Sequence, residues 1–151
     1  MIIGVLSDTH ATTIDGVPAT IRSALAQVDL IVHAGDFTYK AVLDGLRLLG
    51  EVKAVAGNMD SGELKRILPE KDVFIAGERR IGLIHGWGGP WGIAERVREL
   101  FSDVDLIIFG HSHQTWNRPV RGIPMFNPGF ARDSFGLIHV DDEIRGEIVK
   151  V

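Results

Sequence analysis

Leu106-Ile107-Ile108-Phe109-Gly110-His111-Ser112-His113 is the stretch on which the fold turns. Its bulky apolar residues, bounded by Asp105 and Gly110, suit a strand buried on both faces. Gly110 accepts a sharp turn at low cost, and alternate side chains of an extended backbone point the same way. Both imidazoles can therefore leave the strand end toward one site. Two histidines taken alone fit a polar loop equally well, because histidine serves in loops as often as in ligand sets. The rest of the chain has to decide.

Toward the N-terminus the same pattern recurs. Ile2 to Leu6 reads as a strand that stops at Ser7-Asp8-Thr9-His10. Pro18 is a good first helical residue and opens a helix over Ala19 to Ala26, with Ile21 and Leu25 on one face. Leu30 to Ala34 is a second strand, ending at Gly35-Asp36, and Ala41 to Leu49 spaces Val42, Leu46 and Leu49 as a helix does. Val52 to Ala56 is a third strand, ending at Gly57-Asn58-Met59-Asp60. Strand, polar end and helix in rotation predict parallel strands with crossover helices.

Asp60 can cap the segment Ser61 to Leu68, since Glu63 stands three residues on. Lys71 to Ala76 and Arg80 to Ile84 form a hairpin that ends at His85-Gly86-Trp87, and Trp91 to Phe101 reads as a helix carrying Ile93, Val97 and Leu100 on one face. Past His113, the short strands Thr115 to Val120, Ile123 to Asn127, Phe135 to Val140 and Ile144 to Val151 predict an antiparallel tail.

Composition limits what such a chain can do. Its 151 residues fit one domain, 45% hydrophobic and 24% charged, with a sizeable core. A formal charge of -4 argues against general nucleic-acid binding, which needs a basic face. There is no cysteine, so thiolate metal sites and disulfides are excluded. No apolar run approaches a membrane span and no leader precedes Ile2, so a cytoplasmic protein is expected.

Asp8, His10, Asp36, Asn58, His85, His111 and His113 all fall at the carboxyl ends of apolar runs, where open α/β sheets bind ligands. Seven donors are too many for one tetrahedral ion. Histidines mixed with carboxylates and an amide suit a pair of borderline divalent metals, with manganese, iron, nickel, cobalt and zinc as candidates, better than calcium or magnesium. A carboxylate can bridge such a pair, and Asp36, alone at its strand end, is the expected bridge.

Five blocks carry a resemblance: Asp8-Thr9-His10, Gly35-Asp36, Gly57-Asn58, His85-Gly86 and Gly110-His111-Ser112-His113. In this order, and with Asn127-Pro128-Gly129 behind them, they resemble the signature of the calcineurin-like metallophosphoesterases, in particular the small bacterial and archaeal phosphodiesterases. The resemblance implies an α/β fold, a four-layer αββα sandwich of two mixed sheets packed face to face with helices outside. It also implies two divalent ions, manganese first. One would take Asp8, His10, Asp36 and His113; the other would take Asp36, Asn58, His85 and His111. The implied reaction is hydrolysis of a small phosphate ester, with Asp36, Asn58, His85 and His111 as its working residues.

Two departures bear on mechanism. Many larger relatives place a proton-donating histidine after the motif asparagine, where this chain has Met59; the small branch often has His-Gly-His, where this chain has His85-Gly86-Trp87. Loss of a general acid costs roughly 10²- to 10⁴-fold, so substrates with acidic leaving groups are expected to suffer least. His33 is expected to be structural, with Asp36 as a candidate hydrogen-bond partner from behind, and His139 has no partner motif. Trp87, Trp91, Trp116, Phe37 and Phe130 fit core or an interface between copies, as in a homodimer or tetramer, better than an apolar rim for a leaving group. Arg132 is expected to be exposed, with a phosphate oxygen as its other possible partner. The alternative to catalysis is a scaffold that kept the fold and lost the reaction, as the retromer subunit resembling this family has done; a complete donor set favours catalysis.

Overall fold

The computed structural model describes Met1–Val151. Ten strands and four helices follow one another as β1 (Ile2–Leu6), α1 (Ala19–Leu25), β2 (Leu30–His33), α2 (Lys40–Leu49), β3 (Val52–Ala54), α3 (Gly62–Ile67), β4 (Lys71–Ala76), β5 (Arg79–Ile84), α4 (Ile93–Arg98), β6 (Leu106–Ile108), β7 (Trp116–Val120), β8 (Ile123–Asn127), β9 (Ser134–Val140) and β10 (Ile144–Lys150). They make two five-stranded sheets, ordered β10-β9-β1-β2-β3 and β4-β5-β6-β8-β7. Strands β1, β2 and β3 pair in parallel, as do β5 with β6 and β6 with β8; the other pairs are antiparallel.

The two-residue period of each strand sorts its side chains between layers. Ile3, Val5, Leu30, Val32, Leu106 and Ile108 point into a core shared by the sheets, where Phe74, Ile81, Leu83 and Phe126 meet them. Their neighbours Leu6 and Ile31 face outward onto α1, α2 and α3 through Ile21, Leu25, Leu43, Leu46 and Leu64. On the second sheet Ile107 and Phe109 face outward onto Ile93, Val97 and Phe101 of α4 and its end. The α/β fold is thus two mixed sheets packed face to face with helices on both outer faces, and each central strand is apolar on both sides. No helix is long and apolar enough to cross a membrane.

Four expectations need correction. The tail is antiparallel within its own pairs, but β8 lies parallel to β6, because β7 runs out along the sheet edge and the hairpin returns. The helix expected from Trp91 to Phe101 is only Ile93–Arg98; Gly92, at φ 77°, turns the chain just before it and leaves Trp91 in the loop. Ser61, not Asp60, caps α3, its Oγ accepting from Leu64 N at 3.3 Å. Finally, His111 and His113 are not in extended backbone: their φ values are 70° and 61°, and Ser112 N bonds to Gly110 O at 2.8 Å. Gly110 is required by proximity rather than by the turn, since a Cβ there would run into the Ser7 hydroxyl.

Candidate metal centre

The seven residues picked out at strand ends gather along one edge of the molecule, where the parallel strands of both sheets finish. Main-chain bonds tie their loops together: Asp8 N donates to Gly35 O at 2.9 Å, His10 N to Asp36 O at 3.2 Å and Gly110 N to His85 O at 2.9 Å. Asp8, His10, Asp36, His111 and His113 all hold positive φ, between 46° and 70°. For non-glycine residues that conformation costs roughly 1–3 kcal/mol each, and it is kept only where surroundings enforce it.

At the middle lies the Asp8 carboxylate. Its Oδ2 accepts from Ser7 Oγ at 2.6 Å and from His111 N at 3.3 Å. Its Oδ1 is buried and has no hydrogen-bond partner, yet Nε2 of His113 lies 3.3 Å away and those of His10 and His85 each 3.8 Å. Asp36 stands beside it: Oδ1 accepts from Met59 N at 2.8 Å, while Oδ2 lies 3.2 Å from His85 Nε2 and 3.7 Å from His10 Nε2. Asn58 Oδ1 is 3.1 Å from the same His85 nitrogen.

The tautomers follow from the partners. His85 Nδ1 is 2.7 Å from Ala34 O, and a carbonyl only accepts, so Nδ1 carries the hydrogen and the neutral ring turns an Nε2 lone pair toward oxygens of Asp8, Asp36 and Asn58. Lone pairs facing lone pairs call for a positive charge between them. Burial pushes His85 down, but Asp36 and Asp8 outweigh it and hold its pKa above the ordinary value of 6.5. Burial likewise raises Asp8, against the opposing pull of His85, Ser7 and His113. In Asp36 burial is outweighed by the His85 hydrogen bond and charge, the Met59 amide and His10, so its pKa lies below 3.8. An unpaired buried carboxylate oxygen ringed by imidazole nitrogens fits a divalent cation by position and by donor chemistry. Two overlapping groups have that reach: Asp8, His10 and His113, and Asp8, Asp36 and His85. Asp8 is common to both, whereas Asp36 was expected to be the shared residue.

His111 belongs to the deeper side, its ring edge-on to His85 at 5.2 Å, with Nε2 given to Gly88 O at 2.9 Å. Two supporting residues have roles that local spacing does not reveal. Asp60, buried, accepts from Gly57 N at 2.7 Å, Thr38 N at 2.8 Å and Asp36 N at 3.0 Å, and so welds the Asp36 and Asn58 loops together. Asn127, also buried, donates to Gly110 O and Ser112 Oγ at 3.1 Å each and holds the histidine turn. The Asn127-Pro128-Gly129 run was the available signal for Asn127; nothing in the sequence sets Asp60 apart from a cap.

The remaining expectations divide. His33 is fully buried, as expected, but bonds to Gly35 N at 3.0 Å and Thr9 Oγ1 at 3.1 Å rather than to Asp36, because its ring lies flat on Phe37 at 3.5 Å. Burial holds its pKa well below 6.5, so it braces the Asp8-Thr9-His10 loop as a neutral ring. His139 sits in β9 opposite Ile2. Phe37 is core, but Trp87 and Trp91 are 43% and 87% exposed, since neither follows the strand or helix period that packs the others. Phe130 forms a wall of the site, stacked on His113 at 5.0 Å, and exposed Arg132 lies over its far end at 5.1 Å.

The comparisons with known proteins agree with this geometry. Over 161 aligned residues the chain is 34% identical to a probable metallophosphoesterase of Methanocaldococcus jannaschii, spanning all of this chain and 82% of that protein. It is 37% identical over 132 residues to a probable metallophosphoesterase of Methanothermobacter thermautotrophicus, across 85% of this chain and 76% of the relative. Wild-type Vps29 of Entamoeba histolytica, whose crystal structure is a complex with zinc, shares 27% identity and a TM-score of 0.74 over 99% of both chains. The family model of the calcineurin-like phosphoesterase superfamily domain matches residues 1–141, and the chain belongs to that superfamily.

Proposed function

We propose that this protein is a metal-dependent phosphodiesterase that hydrolyses small phosphate esters with two divalent ions. One ion takes Asp8, His10, Asp36 and His113, and the other takes Asp36, Asn58, His85 and His111. In this reading Asp36 would serve both ions: its Oδ2 lies near one imidazole of each set, as Asp8 Oδ1 also does, and its Oδ1 is committed to the Met59 amide. The observation that carries the reading is the unpartnered Oδ1 of buried Asp8 among three imidazole nitrogens. The donor set suits manganese first, then nickel, iron, cobalt or zinc. When bound, such ions neutralise phosphoryl oxygens and make water acidic enough to serve as a nucleophile near neutral pH.

The chain's own residues then bind and orient. Asn58 offers an oxygen without charge and so keeps the centre attractive to a phosphate anion. Two clefts flank the cluster, one of about 330 Å³ that includes Asn58, His85, Trp87 and Lys65, the other of about 300 Å³ that includes Thr9, His10 and Arg132. A diester has two arms, and two clefts on either side of the charge suit it better than a monoester. Proton donation is the weak point. Met59 and Trp87 stand where relatives carry imidazoles, and Asp60 is committed as an acceptor of three amides, so the departing oxygen leaves largely unassisted.

Elemental analysis of the purified protein, with a phosphoester screen across metals, tests the reading. About two ions per chain and preference for aryl diesters over alkyl monoesters are the expected results; fewer ions, or monoesters preferred, would overturn it. The scaffold reading has one observation in its favour, the exposed apolar side chains of Trp91, Met59 and Trp87 around the loops of the centre. Stoichiometric metal binding with no turnover anywhere in the screen would favour the scaffold.

A further inference from the structure

We infer that Arg96, which touches none of the seven residues at the centre, is a positioning residue for the deeper ion, acting through the Trp87–Trp91 loop on the tautomer of His111. The inference rests on the metal-centre reading above.

The loop between β5 and α4 has no regular structure of its own, and Arg96 holds it. From α4 the guanidinium donates to Trp87 O and Trp91 O at 2.7 Å each and to Gly89 O at 2.8 Å. It packs flat against Gly88, whose φ is 87° and where a Cβ would come within 2.8 Å of Nη2. Its Nε stays buried without a partner, an arrangement that costs roughly 1–3 kcal/mol and is kept only if the three-carbonyl clamp outweighs it. Gly88 is thus held on both sides by carbonyls that a single side chain secures.

The carbonyl of Gly88 faces His111 Nε2 at 2.9 Å. Because a carbonyl only accepts, this contact keeps the hydrogen on Nε2 and leaves the lone pair on Nδ1. His85 is wired the opposite way, with Nδ1 bonded to Ala34 O immediately after β2. The two imidazoles of the deeper set therefore present different nitrogens, each chosen by a main-chain carbonyl. The one facing His85 is fixed by the sheet. The one facing His111 is fixed only by the arginine clamp.

The test uses the full-length protein, stripped of metal, as wild type, Arg96→Ala, Arg96→Lys and Arg98→Ala. Arg98 lies on the same helix but donates to Val120 O and Phe101 O, away from the loop, so its variant reports general loosening of α4. Long-range proton–nitrogen NMR on metal-free protein reads the His111 tautomer, and calorimetry with manganese reads each ion's affinity. In Arg96→Ala, His111 should lose its single Nε2–H tautomer, and one of the two affinities should fall roughly 10- to 100-fold while the other holds. Arg96→Lys, which offers one nitrogen in place of the two that reach these carbonyls, should fall between, and Arg98→Ala should match wild type. The inference is overturned if His111 keeps its tautomer in Arg96→Ala, if both affinities fall together, or if Arg98→Ala shows the same effect. Failure of the wild type to bind manganese would instead count against the metal-centre reading, and the tautomer measurement would still decide the role of Arg96.

Discussion

His85 and His113 approach the same oxygen of Asp8, yet the first side chain is 3% exposed and the second 47%. The halves of the centre to which they belong are held in different ways. On the deeper side Asn58 and His85 keep ordinary backbone angles while Asp36 and His111 are left-handed, and the orientation of each ring is set by a carbonyl. On the open side Asp8, His10 and His113 are all left-handed, and the rings are steadied by Phe130, stacked on His113 and edge-on to His10. Backbone strain is common to both halves; what differs is that carbonyl hydrogen bonds orient the deeper rings and stacking steadies the open ones. A loss on the deeper side should therefore cost fold as well as function, and a loss on the open side should cost function alone.

The largest effect should come from a change that removes the distinction. Asp36 meets both His10 and His85, so Asp36→Asn should lower metal content on both sides and bring activity close to background. Elemental analysis showing about two ions retained per chain would reject Asp36 as the bridge. Next, His85→Ala should strand two buried carboxylates and destabilise the metal-free protein by about 3–5 kcal/mol, whereas His113→Ala should cost no more than the roughly 0.5–1.5 kcal/mol of its stack on Phe130. Urea unfolding with a chelator present reads both, and equal losses would erase the contrast between the halves.

The third expectation concerns pH. Because the folded value of His85 is raised, its stabilisation is complete below about 6.5 and is lost as pH rises through the raised value. Raised Asp8 acts in the same direction, whereas Asp36, held low, stabilises above about 3.8 and loses that contribution as pH falls through its folded value. His33, held low, works the other way, but its contribution is complete above about 6.5, so metal-free protein should melt higher at about pH 7 than at about pH 8.5. Manganese should reverse the order, since imidazoles must shed their protons to coordinate. A metal-free melting point that climbs with pH would show that His85 is not the controlling charge. The smallest effect is assigned to Phe130→Ala, which removes a stack of about 0.5–1.5 kcal/mol and should weaken the open-side ion by less than roughly tenfold. Calorimetry with manganese should show the deeper ion unchanged.

Much of this is legible in the sequence. Continuous apolar runs such as Leu30–Ala34 and Leu106–Phe109 announce strands covered on both faces, and a polar residue at the end of each announces the edge where a site can form. The helices over Ala19–Leu25 and Lys40–Leu49 followed from the spacing of Ile21, Leu25, Val42 and Leu46. Harder to read were residues whose partners are distant. Asp60 looks like a helix cap because Glu63 follows at the right distance; its actual amide partners include Asp36 and Thr38, more than twenty positions away. Arg96 looks like one more charge on a short helix.

The sequence by itself determined the strands and helices, their burial on both faces and the set of donors at the strand ends, because periodicity and residue chemistry are local properties. Tertiary structure alone decided how those donors meet. It set five of the seven in left-handed backbone, left one oxygen of Asp8 without a partner and chose opposite tautomers for His85 and His111. Backbone strain, desolvation and the identity of a facing carbonyl depend on groups brought together by packing, and no window of neighbouring residues contains them.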